Sequence, residues 1–346
     1  MKSKLTALIL TLLICAACLP LFSGCNAKTT YTLNVGEDGE KYYTLSVSGF
    51  TNKIKGTFEI PEYYGEGEDK APVKEIADEG LSGTGITKLV IPKTVETIGV
   101  AAFAYNYSLK EVTFAGGSEL NEIPRGAFGY CNALTEITIP QTVESIEPLA
   151  FVNCERLSSV AFPDNLKKIG DGAFEGCTKL ESVSLPQTLE KIGNMAFYKT
   201  GLTEITIPDS VRDTETEKTG DDGKTITEIE YGIGYAAFHT CEKLVKATVG
   251  SGIKYLRSGV FGYCTALKEI YLPASLKKIE GAYYIDGKLE CGHAFHSDKE
   301  LADIYFAGSK AEWEAVEKDM EAVTVQNVTY DNSALTRAKL HYDVKY

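Results

Sequence analysis

The stretch LTEITIPQTVESIEPLAFVNC at residues 134–154 recurs along the chain with its apolar positions in the same order. It returns as LSSVAFPDNLKKIGDGAFEGC at 157–177, as LESVSLPQTLEKIGNMAFYKT at 180–200 and as LKEIYLPASLKKIEGAYY at 267–284. An internal repeat of this length predicts a solenoid, because one unit is too short to bury its apolar side chains except against its neighbours.

Phenylalanines give the length of the unit. The steps between them are 25, 23, 23, 23, 41, 23 and 34 residues, for the series Phe103, Phe128, Phe151, Phe174, Phe197, Phe238, Phe261 and Phe295. The basic unit is therefore 23 residues, and the irregular steps indicate insertions near 211–230 and 281–292. A degenerate first copy, with Leu81 at the phenylalanine position, carries a further insertion at 63–72.

Each unit has the pattern of a short strand followed by turns. Ile137 and Ile139 alternate with Thr138, which is the period-2 pattern of a half-buried strand. The proline that follows cannot continue a hydrogen-bonded ladder, so it ends the strand. Parallel strands stacked about 4.8 Å apart over roughly nine or ten coils predict a rod on the order of 45 Å long.

The combined pattern LxxIxIPxxVxxIGxxAFxxC resembles the BspA-like leucine-rich repeat family of bacterial surface proteins, over about residues 54–306. Departures are local: Asn106, Thr200 and Asp298 replace the cysteine, and Val260 replaces the alanine before phenylalanine. The resemblance implies a leucine-rich repeat solenoid of stacked short parallel strands. It also implies adhesion to host extracellular-matrix proteins or partner cells.

The N-terminus has the features of an export signal. Lys2 and Lys4 precede an apolar run at 5–18, and Leu21-Phe22-Ser23-Gly24-Cys25 resembles a bacterial lipobox. We therefore expect a signal peptide at 1–24, lipidation of Cys25, a linker to residue 30, and export by the general secretory route to the cell surface. Cys18 is a rival lipidation site, and an ordinary secreted protein is the alternative. Membrane contact is expected through the lipid anchor only.

Both ends of the solenoid, placed at 61–308, are expected to be capped. Alternating runs on either side of a glycine turn predict an N-terminal β-hairpin cap within 31–60. At 309–346 we expect a small α/β cap, in which Ser309 and Glu312 form a capping box at the start of a helix carrying Trp313. Strands are predicted at 323–330 and 339–346.

The formal net charge of −13 becomes −15 without the first 24 residues, which carry two lysines and no acid. Such a chain would repel nucleic acid, so no nucleic-acid partner is expected. Any anionic ligand would need a local basic patch or a bridging cation. We expect no cofactor.

Cysteines recur in phase with the phenylalanines. Five of the nine lie three residues after the repeat phenylalanine, namely Cys131, Cys154, Cys177, Cys241 and Cys264. An in-phase residue occupies the same buried place on every coil, so we interpret this spine as free buried thiols rather than a disulfide framework.

Catalytic chemistry has little support in the sequence. Cys291, His293 and His296 are weak metal candidates that lack a fourth ligand at a recognised spacing. His239 and Cys241 form a second weak pair, expected to be separated from the first cluster by a coil. The turn Asp221-Asp222-Gly223 lacks the rest of a calcium loop. We therefore expect no enzyme, with a metal-dependent hydrolase as the least favoured reading.

What remains is a surface for binding. Alternation sends Thr248, Tyr271 and Tyr305 outward on one sheet face, with acidic residues such as Glu204, Glu269 and Asp303 beside that row. Tyrosine offers a large contact area at low entropic cost, so these six are the predicted ligand-binding residues, joined by the insertion loops. The competing interpretation is that threonine and tyrosine occur there for β-propensity alone.

The predicted function is therefore that of a non-catalytic, surface-anchored binding or adhesion protein. Its expected partner is a host matrix or cell-surface protein, or a polysaccharide. The alternative is a lipoprotein that captures a glycan or peptide for nutrient uptake, for which Tyr271, Tyr283, Tyr284 and Tyr305 would form one aromatic pocket.

Overall fold

The structure, a computed structural model, describes residues 28–48, 54–219, 225–285, 288–325 and 328–346. The export signal, Cys25 and the Asp221–Gly223 calcium candidate therefore lie outside the described residues. Neither α-helix within those ranges has the length and hydrophobicity needed to cross a bilayer.

The predicted N-terminal hairpin is present and joins the first coils of the stack. The strands of this part are β1 (Lys28–Val35), β2 (Lys41–Ser48), β3 (Lys55–Glu59), β4 (Tyr63–Tyr64), β5 (Ala71–Ile76) and β6 (Gly85–Ile91). β1 and β2 pair antiparallel, and β2 then runs parallel to β5. β3 pairs in parallel with β6, so it belongs to the stack rather than to the hairpin. The first insertion holds β4 and a 3₁₀ turn, Gly67–Asp69.

The regular coils follow with very short strands. They are β7 (Thr97–Ile98), β8 (Glu111–Phe114), β9 (Glu122–Ile123), β10 (Glu136–Thr138), β11 (Ser145–Ile146), β12 (Ser159–Ala161), β13 (Lys168–Ile169), β14 (Lys191–Ile192) and β15 (Glu204–Thr206).

The C-terminal half contains both later insertions and the cap. Its elements are β16 (Thr214–Thr219), β17 (Thr225–Glu230), β18 (Lys246–Thr248), β19 (Tyr255–Leu256), β20 (Glu269–Leu272), β21 (Lys278–Ile279), β22 (Tyr283–Ile285), β23 (Lys288–Cys291), β24 (Asp303–Phe306), α1 (Lys310–Ala315), β25 (Glu317–Lys318), β26 (Val323–Val325), β27 (Val328–Tyr330), α2 (Ala334–Arg337) and β28 (Lys339–His341).

Two strands recur in each coil, and both stack in parallel. The strands before the repeat proline form what we call the front sheets: β3-β6-β8, β10-β12 and β15-β18-β20-β24-β28. The front strand is missing at residues 182–184, which separates the last two of these sheets. The strands around the second apolar pair form the back sheets, β9-β11-β13-β14 and β19-β21-β25. The repeat pattern predicted the front strands but not the two-residue back strands, which are too short to show a period.

The repeat phenylalanines form one continuous column through the core. All eight are fully buried. Consecutive rings stack with centroids 5.1 to 5.8 Å apart, which is within the range of favourable offset stacking. Each inner ring of the column stacks on the ring before it and the ring after it, so much of the stability comes from contacts between neighbouring coils, as expected for a solenoid.

The cysteine spine consists of free, buried thiols, as predicted. Each Sγ donates to the carbonyl oxygen of the phenylalanine one coil earlier, as Cys154 does to Phe128 at 3.1 Å. Burial raises the pKa of Cys154 to about 12, so the thiol stays protonated and keeps its donor. Asn106 keeps this role, because its Nδ2 donates to the carbonyl oxygen of Leu81, which holds the phenylalanine position one coil earlier. Thr200 does not, because its Oγ1 donates to Phe197 of its own coil.

The C-terminal cap contains the predicted helix. Ser309 and Glu312 form the capping box at the start of α1, and Trp313 packs edge-on against Phe306. The segment at 323–330 is a small hairpin, β26-β27. β28 does not close the cap separately but adds a fifth strand to the front sheet, in parallel with β24.

Candidate functional site

The C-terminal front sheet brings all six predicted ligand-binding residues together. Its pairing places one outward residue of each strand in a continuous row: Thr206, Thr248, Tyr271, Tyr305 and His341. A second row runs beside it, two residues earlier in each strand: Glu204, Lys246, Glu269, Asp303 and Lys339. We call these two rows the tyrosine face. Alternation along each strand directs both rows away from the core.

Aromatic rings stack along the first row. The rings of Tyr271 and Tyr305 lie 4.4 Å apart, and those of Tyr305 and His341 lie 4.5 Å apart, both nearly parallel. Tyr346, which is 52% exposed, meets Tyr271 edge-on at 5.3 Å. The rings hold one another in place, so the face is a preformed aromatic ladder whose edges remain open to solvent.

Charges of both signs border the ladder. Lys246 Nζ lies 4.8 Å from the Tyr271 ring centroid, a cation–π contact. Asp303 Oδ1 lies 2.7 Å from His341 Nε2. The pKa of Tyr271 and that of Tyr305 are both raised. The main cause is the partial removal of the phenols from solvent, and the second is the nearby Glu269 and Asp303 carboxylates. Both phenols therefore remain protonated at neutral pH and can donate hydrogen bonds to a ligand.

Sequence reasoning missed the part of this face that the C-terminus supplies. His341, Lys339 and Tyr346 were not predicted to take part. The alternating pattern at 339–346 did indicate a strand, but the residues of this segment do not show that it pairs with β24. The role of the face in binding stays a prediction.

The insertion near 211–230 attaches elsewhere. Glu215, on the β16-β17 hairpin, accepts from Lys254, Tyr255 and Lys277 beside the back sheet. These hydrogen bonds lower the pKa of Glu215 to about 2, and the one from Lys277 has the largest effect. The hairpin is therefore fixed to the back sheets, whereas the tyrosine face belongs to the front sheet.

The aromatic pocket required by the nutrient-capture alternative is not assembled as one unit. Tyr283 stacks on Tyr235 at 5.2 Å, whereas Tyr271 stacks on Tyr305. The first pair lies with the β22-β23 hairpin and the second on the front sheet.

The weak metal candidates are buried but do not form a ligand set. Within the described ranges, no three histidine, cysteine, aspartate or glutamate side chains are placed to hold a metal ion. His296 Nδ1 lies 2.7 Å from the His293 carbonyl oxygen, and burial raises the pKa of Cys291 to about 12. A thiol held in its protonated form is a poor metal ligand and a poor nucleophile.

One coil separates His239 from His296, as expected, but their rings nevertheless meet. Their ring centroids are 5.1 Å apart. The intervening coil has Gly262 at this point, where a Cβ would lie 2.5 Å from His296 Nδ1 and 3.0 Å from His239 Cδ2. Because glycine has no side chain, the two imidazoles meet across the coil.

Comparison with known proteins agrees with the repeat architecture. The family model described as BspA type leucine rich repeat region matches residues 74–117, 116–218 and 225–311, more than half of the chain. No curated protein matches the chain significantly.

Several solved structures are similar to this chain. A leucine rich cell surface protein from Faecalibacterium prausnitzii A2-165 is 24% identical, covering 86% of this chain and 99% of that one, with a TM-score of 0.47. The pneumococcal vaccine antigen PcpA is 18% identical over 85% of this chain and 97% of that one, with a TM-score of 0.38. A leucine-rich repeat protein from Bacteroides capillosus ATCC 29799 is 32% identical, covering 38% of this chain and 92% of that one, with a TM-score of 0.31.

Proposed function

Because this chain belongs to the BspA type leucine-rich repeat family, we propose that it is a non-catalytic binding protein that acts in adhesion at the bacterial cell surface. Its partner is a host extracellular-matrix or cell-surface protein, recognised by the tyrosine face. Proteins of this family are typically bacterial cell-surface proteins, and leucine-rich repeat proteins generally bind rather than catalyse.

The observation that supports this proposal most directly is the stacked ladder Tyr271, Tyr305 and His341. Interfaces draw most of their binding energy from a few aromatic and arginine side chains near the centre of the contact. A ladder that is already stacked loses little side-chain entropy when a partner covers it. Lysine and carboxylate neighbours on the second row supply the polar rim that gives specificity.

We expect saturable binding to a matrix protein that is lost when Tyr271 and Tyr305 both become alanine. Removing two central aromatic anchors should weaken binding by tenfold or more, since each such residue typically contributes over about 1 kcal/mol. The measurement is binding of residues 26–346 to an array of matrix proteins and polysaccharides at physiological salt, with and without calcium.

The matched control is Tyr107→Ala, which removes a tyrosine that is 60% exposed on another part of the solenoid. Its affinity should equal that of the unmodified chain. Binding to polysaccharide alone would replace adhesion with nutrient capture. Equal affinity of the double variant and the control would remove the tyrosine face from the proposal.

We further propose that Cys25 carries the lipid that anchors the chain to the membrane. The lipobox-like Leu21–Cys25 stretch supports this, and a multiply acylated cysteine binds membranes stably because each buried methylene contributes about 0.8 kcal/mol. Labelling of the expressed full chain with a radioactive fatty acid should be lost in Cys25→Ala and retained in Cys18→Ala. The reverse result would move the anchor to Cys18.

A further inference from the structure

A groove crosses three successive coils on the side of the back sheets. It consists of two adjoining cavities of about 230 and 240 Å³, which share Lys167, Glu190 and Arg212. Each of these residues is the fourth after its repeat proline (Pro163, Pro186 and Pro208), so all three occupy the same position on neighbouring coils. Stacked coils lie about 4.8 Å apart, so the groove presents side chains at regular intervals to an extended ligand.

Four basic side chains line the groove, and four carboxylates lie in it or beside it. Three lysines lie in or beside the groove, and each is paired with a carboxylate: Lys167 with Glu144 at 2.7 Å, Lys168 with Glu147 at 3.0 Å and Lys191 with Glu230 at 2.7 Å. Arg212 differs from them. Its guanidinium is exposed and has no ion pair or side-chain hydrogen bond within the described part of the chain.

An exposed guanidinium that lines a groove is suited to a planar anion. Its rigid fork of donors matches a carboxylate bidentately, which a lysine ammonium cannot do. The shared position alternates in sign along the groove, from Lys167 through Glu190 to Arg212.

The rest of the lining favours hydroxyl groups. Asn165 and Ser210 line the first cavity, and their Oδ1 and Oγ atoms are buried without a hydrogen-bond partner among the described residues. Buried polar atoms are nearly always satisfied, so rotation of either half-buried side chain toward the cavity would let a ligand hydroxyl complete it. Among the described residues, none with an aliphatic side chain lines either cavity.

We propose that this groove binds an acidic oligosaccharide, with one uronic-acid carboxylate on Arg212 and sugar hydroxyls on Asn165 and Ser210. The site is separate from the tyrosine face, because Arg212 lies on the back-sheet side and Tyr271 on the front sheet. It would let the protein hold a glycan and a protein partner at the same time.

The test is calorimetric titration of residues 26–346 with tetragalacturonate and, in parallel, with its neutral methyl ester. We expect the acidic probe to bind, the ester to bind at least tenfold more weakly, and Arg212→Ala to show the same loss. Binding should weaken as salt rises, since the contact is ionic and exposed. Arg156→Ala is the matched control, because Arg156 is another exposed arginine with no ion pair in the described ranges.

Three results would overturn the proposal. One is equal affinity for the acid and the ester, and another is equal affinity of Arg212→Ala and Arg156→Ala. The third is that a tetraglutamate peptide binds as tightly as tetragalacturonate and that its binding depends equally on Arg212. The ligand class would then be an acidic peptide. The double variant Tyr271→Ala/Tyr305→Ala should leave tetragalacturonate binding unchanged. Tetragalacturonate binding therefore tests the groove, whereas matrix-protein binding tests the proposed function, and either can fail without the other.

Discussion

Replacement of Phe174 by alanine is expected to lower the free energy of unfolding by about 3–5 kcal/mol. The ring is fully buried and stacks on Phe151 at 5.3 Å and on Phe197 at 5.4 Å, with Phe162 meeting it edge-on. Alanine would forfeit the burial of the ring and leave a cavity that the rigid coils on either side cannot close. Phe174 lies in the middle of the column, so the change should also weaken the coupling between the two halves.

Urea unfolding followed by two signals would measure both effects. Circular dichroism reports the whole solenoid, while the fluorescence of Trp313, the single tryptophan, reports the C-terminal end. We expect the two transitions to coincide in the unmodified chain and to separate in Phe174→Ala. Tyr107→Ala, at an exposed site, should stay within about 0.5 kcal/mol of the unmodified chain. A loss of similar size at both sites would argue against the phenylalanine column as the main stabilising element.

Acidification below pH 6.5 is expected to destabilise the C-terminal coils through His239. Its ring is surrounded by Tyr198, Tyr263 and His296. The pKa of His239 is lowered from 6.5 to about 3, mainly by burial and secondly by the charge of His296. Between these two values the unfolded chain binds one more proton than the folded chain. The stabilisation is therefore fully present above pH 6.5 and is lost as the pH falls towards 3, at about 1.4 kcal/mol per pH unit.

Asp298 should act in the opposite direction. It occupies the position of a spine cysteine, is fully buried, and neither carboxylate oxygen has a hydrogen-bond partner among the described residues. Burial raises the pKa of Asp298 well above 3.8, only partly offset by the Cys264 backbone and the Arg337 charge. The folded chain then keeps a proton that the unfolded chain loses, so the contribution of Asp298 to stability falls as the pH rises through this range.

Urea unfolding of the unmodified chain, His239→Gln and Asp298→Asn at pH 6.5, 5.8 and 5.0 would separate the two groups, because ordinary carboxylates stay ionised there. Relative to the unmodified chain, the plot of unfolding free energy against pH should become more negative in slope for His239→Gln and more positive for Asp298→Asn. If His239→Gln kept the slope of the unmodified chain, the imidazole would not be held neutral by burial.

Much of this protein follows from its sequence alone. The 23-residue spacing of the phenylalanines determined which side chains enter the core, because a repeated unit places each equivalent residue at the same point of every coil. The same reasoning assigned the cysteines to a buried spine and directed Tyr271 and Tyr305 outward. The hairpin and the capping box were also readable, since both depend on contacts between residues close together in the chain.

Only the tertiary structure decided which distant segments became neighbours. His341 stacks on Tyr305 because β28 adds to the front sheet, and no residue near 341 encodes that choice. His239 meets His296 because glycine occupies the intervening coil, and Arg212 lines a groove because three coils stack in register. The core follows from periodicity within each unit, whereas the surfaces depend on how insertions and caps dock on the stack, which is set by contacts between residues far apart in sequence.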